Sequence, residues 1–172
     1  MDTDLRRKYV LDTIRDQTKP VSASLLAKKL NVSRQVIVGD VALLRAQGHE
    51  IIATARGYMI PNYSETNQYI GKVVCQHTPG NTKDELYTIV DLEAIVVNVI
   101  VEHGLYGEIA GCLNLTNRKD VDVFIDKVNL SEVKLLSELT MGVHLHTIAC
   151  RNKAHFEEVY QALEIRGYLY QN

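Results

Sequence analysis

Gly142-Val143-His144-Leu145-His146-Thr147-Ile148-Ala149 is the stretch from which the rest of the chain can be read. As an extended strand it alternates without a break. A period of two puts His144 and His146 on one face, with Val143, Leu145 and Thr147 on the other. Imidazoles two positions apart on a strand lie about 7 Å from each other, close enough to converge on one ion or ligand. The same pattern also describes two satisfied histidines on a half-buried sheet, so the neighbouring segments have to decide.

Upstream of this strand, residues 69–77 are strand-like, Thr78-Pro79-Gly80-Asn81 turns, and Thr82 opens a helix to about Leu92. Ala94-Ile95-Val96-Val97-Asn98-Val99-Ile100-Val101 is a β-branched run suited to a central strand. His103-Gly104-Leu105-Tyr106-Gly107 turns into a further strand, 108–115, followed by a helix over 117–128. After strand 143–150 comes a helix over 152–166, capped by Asn152, and 167–170 reads as a short last strand. Strand, helix, strand, strand, helix, strand is the order of a ferredoxin-like α/β sandwich, with one extra C-terminal helix.

That order gives the two strand histidines company. His77 ends the first strand and Glu85 lies in the first turn of the following helix. Three imidazole nitrogens and one carboxylate oxygen suit Zn²⁺, Ni²⁺ or Fe²⁺. Each residue also has a plainer role. Thr82-Lys83-Asp84-Glu85 is itself a capping box, which would turn Glu85 back onto the Thr82 backbone. His77 can be a solvated loop residue, and His103 either a fourth imidazole or a strand-end surface residue. His49 and His155 read as surface.

Residues 1–62 have a different pattern. Residues 4–15 form an amphipathic helix ended by Lys19-Pro20, and 21–30 a short second helix with Ser22 as its cap. Asn31-Val32-Ser33 is a tight turn, and Ser33 caps a third helix, Arg34 to Gln47, stopped by Gly48. Two short helices joined by three residues are a helix-turn-helix. Leu26, Leu30, Val32, Ile37, Val41 and Leu44 supply its core, which leaves Arg34, Gln35 and Val38 outward to read base edges and a thymine methyl. A hairpin around Ala55-Arg56-Gly57 makes a wing whose Arg56 reaches a minor groove or a phosphate. The DNA-binding candidates are Ser33, Arg34, Gln35, Val38, Arg45 and Arg56.

Charge supports the division. Residues 1–62 carry 10 Lys and Arg against 6 Asp and Glu, a net of +4, whereas residues 63–172 carry 9 against 15, a net of −6. The basic part is the one to meet a polyanion. The expected domains are therefore 1–62 and 63–172, joined through a polar stretch over 61–68. The expectation is an α+β protein without a membrane span or signal peptide, located in the cytoplasm. Cys75, Cys112 and Cys150, odd in number and with no CxxC spacing, read as reduced thiols.

Residues 1–62 resemble the winged helix-turn-helix of bacterial repressors, close in pattern to the N-terminal module of biotin-repressor-like proteins. Positions that are often basic in such helices are Gly39 and Ala42 here, which implies few phosphate contacts and favours a dimer. Residues 69–172 resemble the 3H domain through His77-Thr78-Pro79 with Glu85, residues 102–108, and Gly142-Val143-His144-Leu145-His146. The two together resemble the nicotinic-acid-responsive repressors of bacterial NAD biosynthesis and niacin uptake. That resemblance implies a divalent metal, Ni²⁺ or Zn²⁺, on His77, Glu85, His144 and His146. It also implies a double-stranded DNA operator, a homodimer, and nicotinic acid as co-repressor, with His103 and Tyr106 as candidates to line its pocket. Among basic residues, Arg118 and Lys119 are the nearest candidates for its carboxylate. A regulator that senses the metal itself is the first alternative. A metal-dependent enzyme with Glu108 or His103 as base is the second, weakened by the lack of any HExxH, nucleophile elbow or phosphate loop.

Overall fold

The computed structural model describes residues 2–61 and 69–171, and the chain divides into two compact units, Met1–Asn62 and Tyr63–Asn172. Most of the expected 61–68 linker lies outside the described residues. The first unit contains α1 (Thr3–Arg15), α2 (Ala23–Leu30), α3 (Arg34–Ala46) and a hairpin of β1 (Ile52–Thr54) and β2 (Gly57–Met59). Ser22 Oγ accepts from Leu25 N at 3.1 Å and Ser33 Oγ from Val36 N at 3.3 Å, so both expected caps form. Asn31 ends α2 in the left-handed region, which asparagine tolerates better than other side chains. Leu26, Ile37, Val41 and Leu44 are buried together with Val10 and Ile14 of α1, while Leu30 and Val32 pack against them from the edge.

Two polar ties hold this small unit. Arg6 Nε and Nη2 grip the buried carboxylate of Asp40 at 2.6 and 3.0 Å, joining α1 to α3. The wing is pinned by backbone: Val21 and Tyr58 exchange N–H···O bonds of 2.8 Å in both directions. Gly57 makes this approach possible. It sits at φ +139°, and a Cβ there would lie 2.3 Å from Val21 O.

The second unit is one antiparallel sheet with helices against it. Its elements are β3 (Tyr69–Gln76), α4 (Thr82–Val90), β4 (Ile95–His103), β5 (Gly107–Leu115), α5 (Arg118–Leu130), β6 (Val143–Cys150) and α6 (Lys153–Ile165). The order along the chain is the expected strand-helix-strand-strand-helix-strand with an added helix. In space the strands run β3-β6-β4-β5, so β6 sits between β3 and β4. The unit's last strand is interior where a ferredoxin-like sheet has its first, and the expected ferredoxin-like sandwich holds for the chain order but not for the strand order. Ile148, Ala149 and Cys150 of β6 are fully buried, as an interior strand demands. A bulge between Val96 and Asn98 shifts the register of β4 against both of its neighbours. Val73, Leu86, Ile89, Val96, Leu115, Val121, Ile148, Val159 and Leu163 bring β3–β6 and α4–α6 into a single core. The short last strand is present as a bridge from Leu169 to Cys75, with Gln76 N bonded to Tyr168 O and Tyr170 N to Val74 O. The exposed edge of β3 is thereby covered in part.

Gly57→Ala is expected to lower the unfolding free energy of the first unit by about 1–3 kcal/mol, through its backbone clash and its φ. Gly39→Ala, where no atom lies within 4 Å of an added Cβ, is expected to raise it by about 1 kcal/mol. Urea denaturation of the full chain reads both.

Candidate metal centre and DNA-reading helix

The register of β3 on β6 assembles the site. Cys75 lies opposite His144 and Val73 opposite His146, while Val99 of β4 faces His146 from the other side. Facing residues in an antiparallel pair point to the same side, so Cys75, His144 and His146 share one face. Beyond the end of β3, His77 is held next to the start of β6 by Gly142. A Cβ on Gly142, whose φ is +88°, would meet His77 O at 2.4 Å. Glu85 enters from the first turn of α4, where the helix N-terminus favours negative charge.

The four expected ligands come together. Glu85 Oε2 is 2.6 Å from His77 Nε2 and 3.5 Å from His146 Nε2, and Glu85 Oε1 is 3.1 Å from His144 Nε2. None of these side chains is more than 3 % exposed. Each ring donates its other nitrogen to a backbone carbonyl at 2.8 Å: His77 Nδ1 to Thr78 O, His144 Nδ1 to Gly142 O, and His146 Nδ1 to Asn98 O. A carbonyl only accepts, so every Nδ1 carries the proton and every Nε2 of a neutral ring presents a lone pair. Three lone pairs and a carboxylate facing one another repel unless a cation lies among them. Donor atoms bound to one ion at about 2.0–2.2 Å sit roughly 2.9–3.5 Å apart, which is close to two of the three separations here. The Nδ1-to-carbonyl anchoring is also what metal-ligating histidines use to fix their tautomer. The donor types suit a transition metal. Among the described residues, Glu85 and His144 belong to a group whose ligand atoms all lie within 4.8 Å of one another, which His77 and His146 join only through Glu85.

Without a metal, protons take that place. Burial opposes charge on His77 and His146, but the hydrogen bonds and charge of Glu85 outweigh it and raise both above the ordinary imidazole value. Burial also opposes ionisation of Glu85. The charge of His146 and hydrogen bonds from the three rings still hold its carboxyl well below the usual range.

Several expectations need correction. Glu85 does not close a capping box: α4 has no side-chain cap, and the carboxylate turns into the core. His155 is not a surface residue but is 3 % exposed, with Nε2 donating to Leu92 O at 2.6 Å and Nδ1 accepting from Arg151 N. His103 stays out of the cluster. Its Nδ1 accepts from the Leu105 and Tyr106 amides at the β4–β5 turn, and its ring lies 5.3 Å from that of Tyr106, which is mostly exposed. Arg118, at the start of α5, gives Nε and Nη2 to Asp91 at 2.7 and 2.6 Å and lies over the Tyr87 ring.

Three contributors escaped the sequence reading. Asn98 offers its carbonyl at the β4 bulge. Tyr168 sets its ring edge-on to His77, 5.4 Å between centroids, and donates its hydroxyl to Asp84 Oδ2 at 2.6 Å. Burial, then that hydrogen bond, pushes the Tyr168 phenol up to about 12. Cys75 brings its Sγ, with a Glu85 oxygen and a His144 ring nitrogen, into a group whose members all lie within 4.8 Å of one another. Burial and the charge of Glu85 push its thiol up. The signal for Cys75 was available: Cys75 and His77 repeat the spacing of His144 and His146. Next to the cluster, a cleft of about 470 Å³ is lined by residues 76–79, Lys134, Ser137, Glu138, Met141 and Gly142.

In the first unit, Arg34 and Gln35 are exposed at the start of α3, Ser33 caps it, and Val38 is half-buried. Arg45 serves the fold. Its Nε donates to Ile51 O at 2.6 Å, and its guanidinium lies 5.8 Å from the Tyr58 ring centroid. Arg56 occupies the two-residue turn between β1 and β2 and is half-buried.

The pKa directions give chelator-treated protein a stability that falls on the alkaline side. The contribution of His77 and His146 is complete below about 6.5 and is lost as pH rises through their raised values. That of Glu85 is present above about 4.5 and is lost only as pH falls through its depressed value. The thermal midpoint of the metal-free protein is therefore expected to fall from pH 6.5 upward, and Glu85→Gln is expected to remove most of that slope.

Comparison with known proteins gives the family. A 3H domain model matches residues 70–172 and a helix-turn-helix domain model residues 6–59. The chain is 39 % identical over 166 residues to the transcription repressor NadR of Bacillus subtilis, covering 95 % of this chain and 92 % of that protein. It is 36 % identical over 164 residues to the probable transcription repressor NiaR of Thermotoga maritima, covering 95 % and 93 %. With both domain models matched in this order and relatives aligned along nearly their whole length, the chain belongs to the family of transcription repressors that join a helix-turn-helix to a 3H domain.

Proposed function

We propose that this protein is a homodimeric, DNA-binding repressor of NAD-biosynthesis or niacin-uptake genes, with nicotinic acid as its co-repressor and a Zn²⁺ or Ni²⁺ ion in its 3H domain. The observation that carries the metal is the buried convergence of three Nε2 atoms on Glu85. His77, Glu85, His144 and His146 would hold the ion, which supplies the positive charge these groups otherwise take from protons. Loading then ties the end of β3, the start of α4 and β6 together. The resemblance to nicotinic-acid-responsive repressors supplies the effector.

The cluster is closed off from solvent, so we place nicotinic acid in the neighbouring cleft and not on the ion. Lys134, exposed and without an ion-pair partner among the described residues, is the cation there for the carboxylate. His77 and Gly142 line the cleft as well as positioning the cluster, which gives effector and metal a shared wall. The effector acts only by its preference for the DNA-competent arrangement, since equal affinity for two states shifts neither. On the DNA side, Arg34 and Gln35 read base edges, and the exposed Gly39 and Ala42 leave α3 smooth enough to seat closely. Dimerisation through the 3H unit has apolar surface to use: Ile70 and Val74, on the sheet face away from the helices, are 50 % and 40 % exposed.

The burial of the cluster favours a second reading, in which the metal itself is the signal. Calorimetric titration of nicotinic acid into Zn²⁺-loaded protein, into Lys134→Ala and into the His144→Ala/His146→Ala double variant separates the two. Saturable binding that Lys134→Ala weakens supports the cleft. Binding that vanishes only in the double variant moves the effector onto the metal. No binding to the parent protein promotes the metal sensor.

Metal loading releases protons from the imidazoles, so the thermal stabilisation by Zn²⁺ is expected to grow from pH 6 to pH 8, opposite to the trend of the metal-free protein. Arg34→Ala or Gln35→Ala is expected to cost about 1–3 kcal/mol of operator affinity, or roughly 5–150-fold, in fluorescence anisotropy. Binding to unrelated DNA should change far less.

A further inference from the structure

We propose that Cys75 is a sulfur ligand of the metal in this site. The inference rests on the metal reading above and concerns a residue that reading does not need. Cys75 is fully buried on β3, directly opposite His144, and shares the face of the sheet that carries His144 and His146. Its Sγ, a Glu85 oxygen and a His144 ring nitrogen lie within 4.8 Å of one another, within reach of a single ion. A Zn–S bond of about 2.3 Å and a Zn–N bond of about 2.0–2.1 Å put the two ligand atoms roughly 3.6 Å apart when tetrahedral and about 4.4 Å when opposite each other.

Charge gives the geometry its purpose. Three neutral imidazoles, one carboxylate and a divalent ion leave one net positive charge in a site closed to water. An uncompensated buried charge is expensive. Ionisation of the Cys75 thiol brings the sum to zero. Its proton leaves to solvent as the metal–sulfur bond forms, and no redox change is involved. The other two cysteines do not compete. Cys112 is exposed on β5, and Cys150, buried at the far end of β6, faces Tyr69 in the register six positions from His144. A thiolate would also bias the site toward Zn²⁺, Co²⁺ and Ni²⁺ and against Mn²⁺ and Mg²⁺.

Cobalt substitution tests this without reference to repression. Full-length protein loaded with Co²⁺ is expected to show visible ligand-field bands from the site and a near-ultraviolet sulfur-to-cobalt charge-transfer band. Cys75→Ser should abolish the charge-transfer band, keep ligand-field bands, and weaken Zn²⁺ binding about 10-fold or more in a competition assay. Cys112→Ser and Cys150→Ser should keep the band, which leaves the assignment testable if Cys75→Ser does not fold. Ligand-field bands without charge transfer in the parent protein would overturn the role of Cys75 while leaving the metal site standing. Failure to take up Co²⁺ at all would overturn both, and loss of the band in either control variant would reassign the sulfur.

Discussion

A carboxylate with no exposed surface stands at the centre of the 3H unit, and its charge sets the terms for what surrounds it. Glu85 is buried where an unpaired anion would cost several kcal/mol, yet its surroundings keep it ionised. Three imidazoles compensate it, each aimed by an Nδ1–H bond to a main-chain carbonyl. Those carbonyls belong to Thr78 after β3, Gly142 before β6 and Asn98 at the β4 bulge. The aim of every ring is therefore a property of the sheet. A shift of one residue in the β3–β6 register would carry His144 and His146 away from Glu85 to the other face.

The outer supports follow the same logic. Tyr168 backs His77 and is itself held by Asp84, the residue beside Glu85 in α4, so one turn of helix serves the cluster on one side and the C-terminal segment on the other. Gly142 allows His77 and the start of β6 to meet backbone to backbone. In the helix-turn-helix unit, part of the charge that looks available for DNA is spent internally: Arg6 on Asp40 and Arg45 on the wing. What remains outward on α3 is concentrated at its first turn.

Patterns of period two and 3.6 were enough to draw nearly all of the elements, since Ser22, Ser33, Asn117 and Asn152 cap their helices as short polar side chains before apolar periodicity should. The histidine pair of the buried cluster was legible because histidines at alternate positions of a strand share a face whatever the fold. Other residues were illegible for definite reasons. His155 follows Asn152 in a polar stretch that reads as surface, and only the arrival of the Leu92 carbonyl buries it. Glu85 occupies a position where a capping box and an inward carboxylate look identical in sequence. Arg118 reads as a free cation until Asp91, 27 residues earlier, is brought beside it.

By itself, then, the sequence determined the two units, the order of elements, a third helix with Arg34 and Gln35 at its start, and the alternation that puts His144 and His146 on one face. These depend on local periodicity, capping and charge, which a chain carries before it folds. Tertiary structure alone decided that β6 lies between β3 and β4, that Cys75 joins the histidines, and that Asn98 and Tyr168 support them. It also decided that Arg45 belongs to the wing. Apart from the Arg45 bond, these are contacts between residues distant in the chain, and strand order and register, not local preference, set which of them meet.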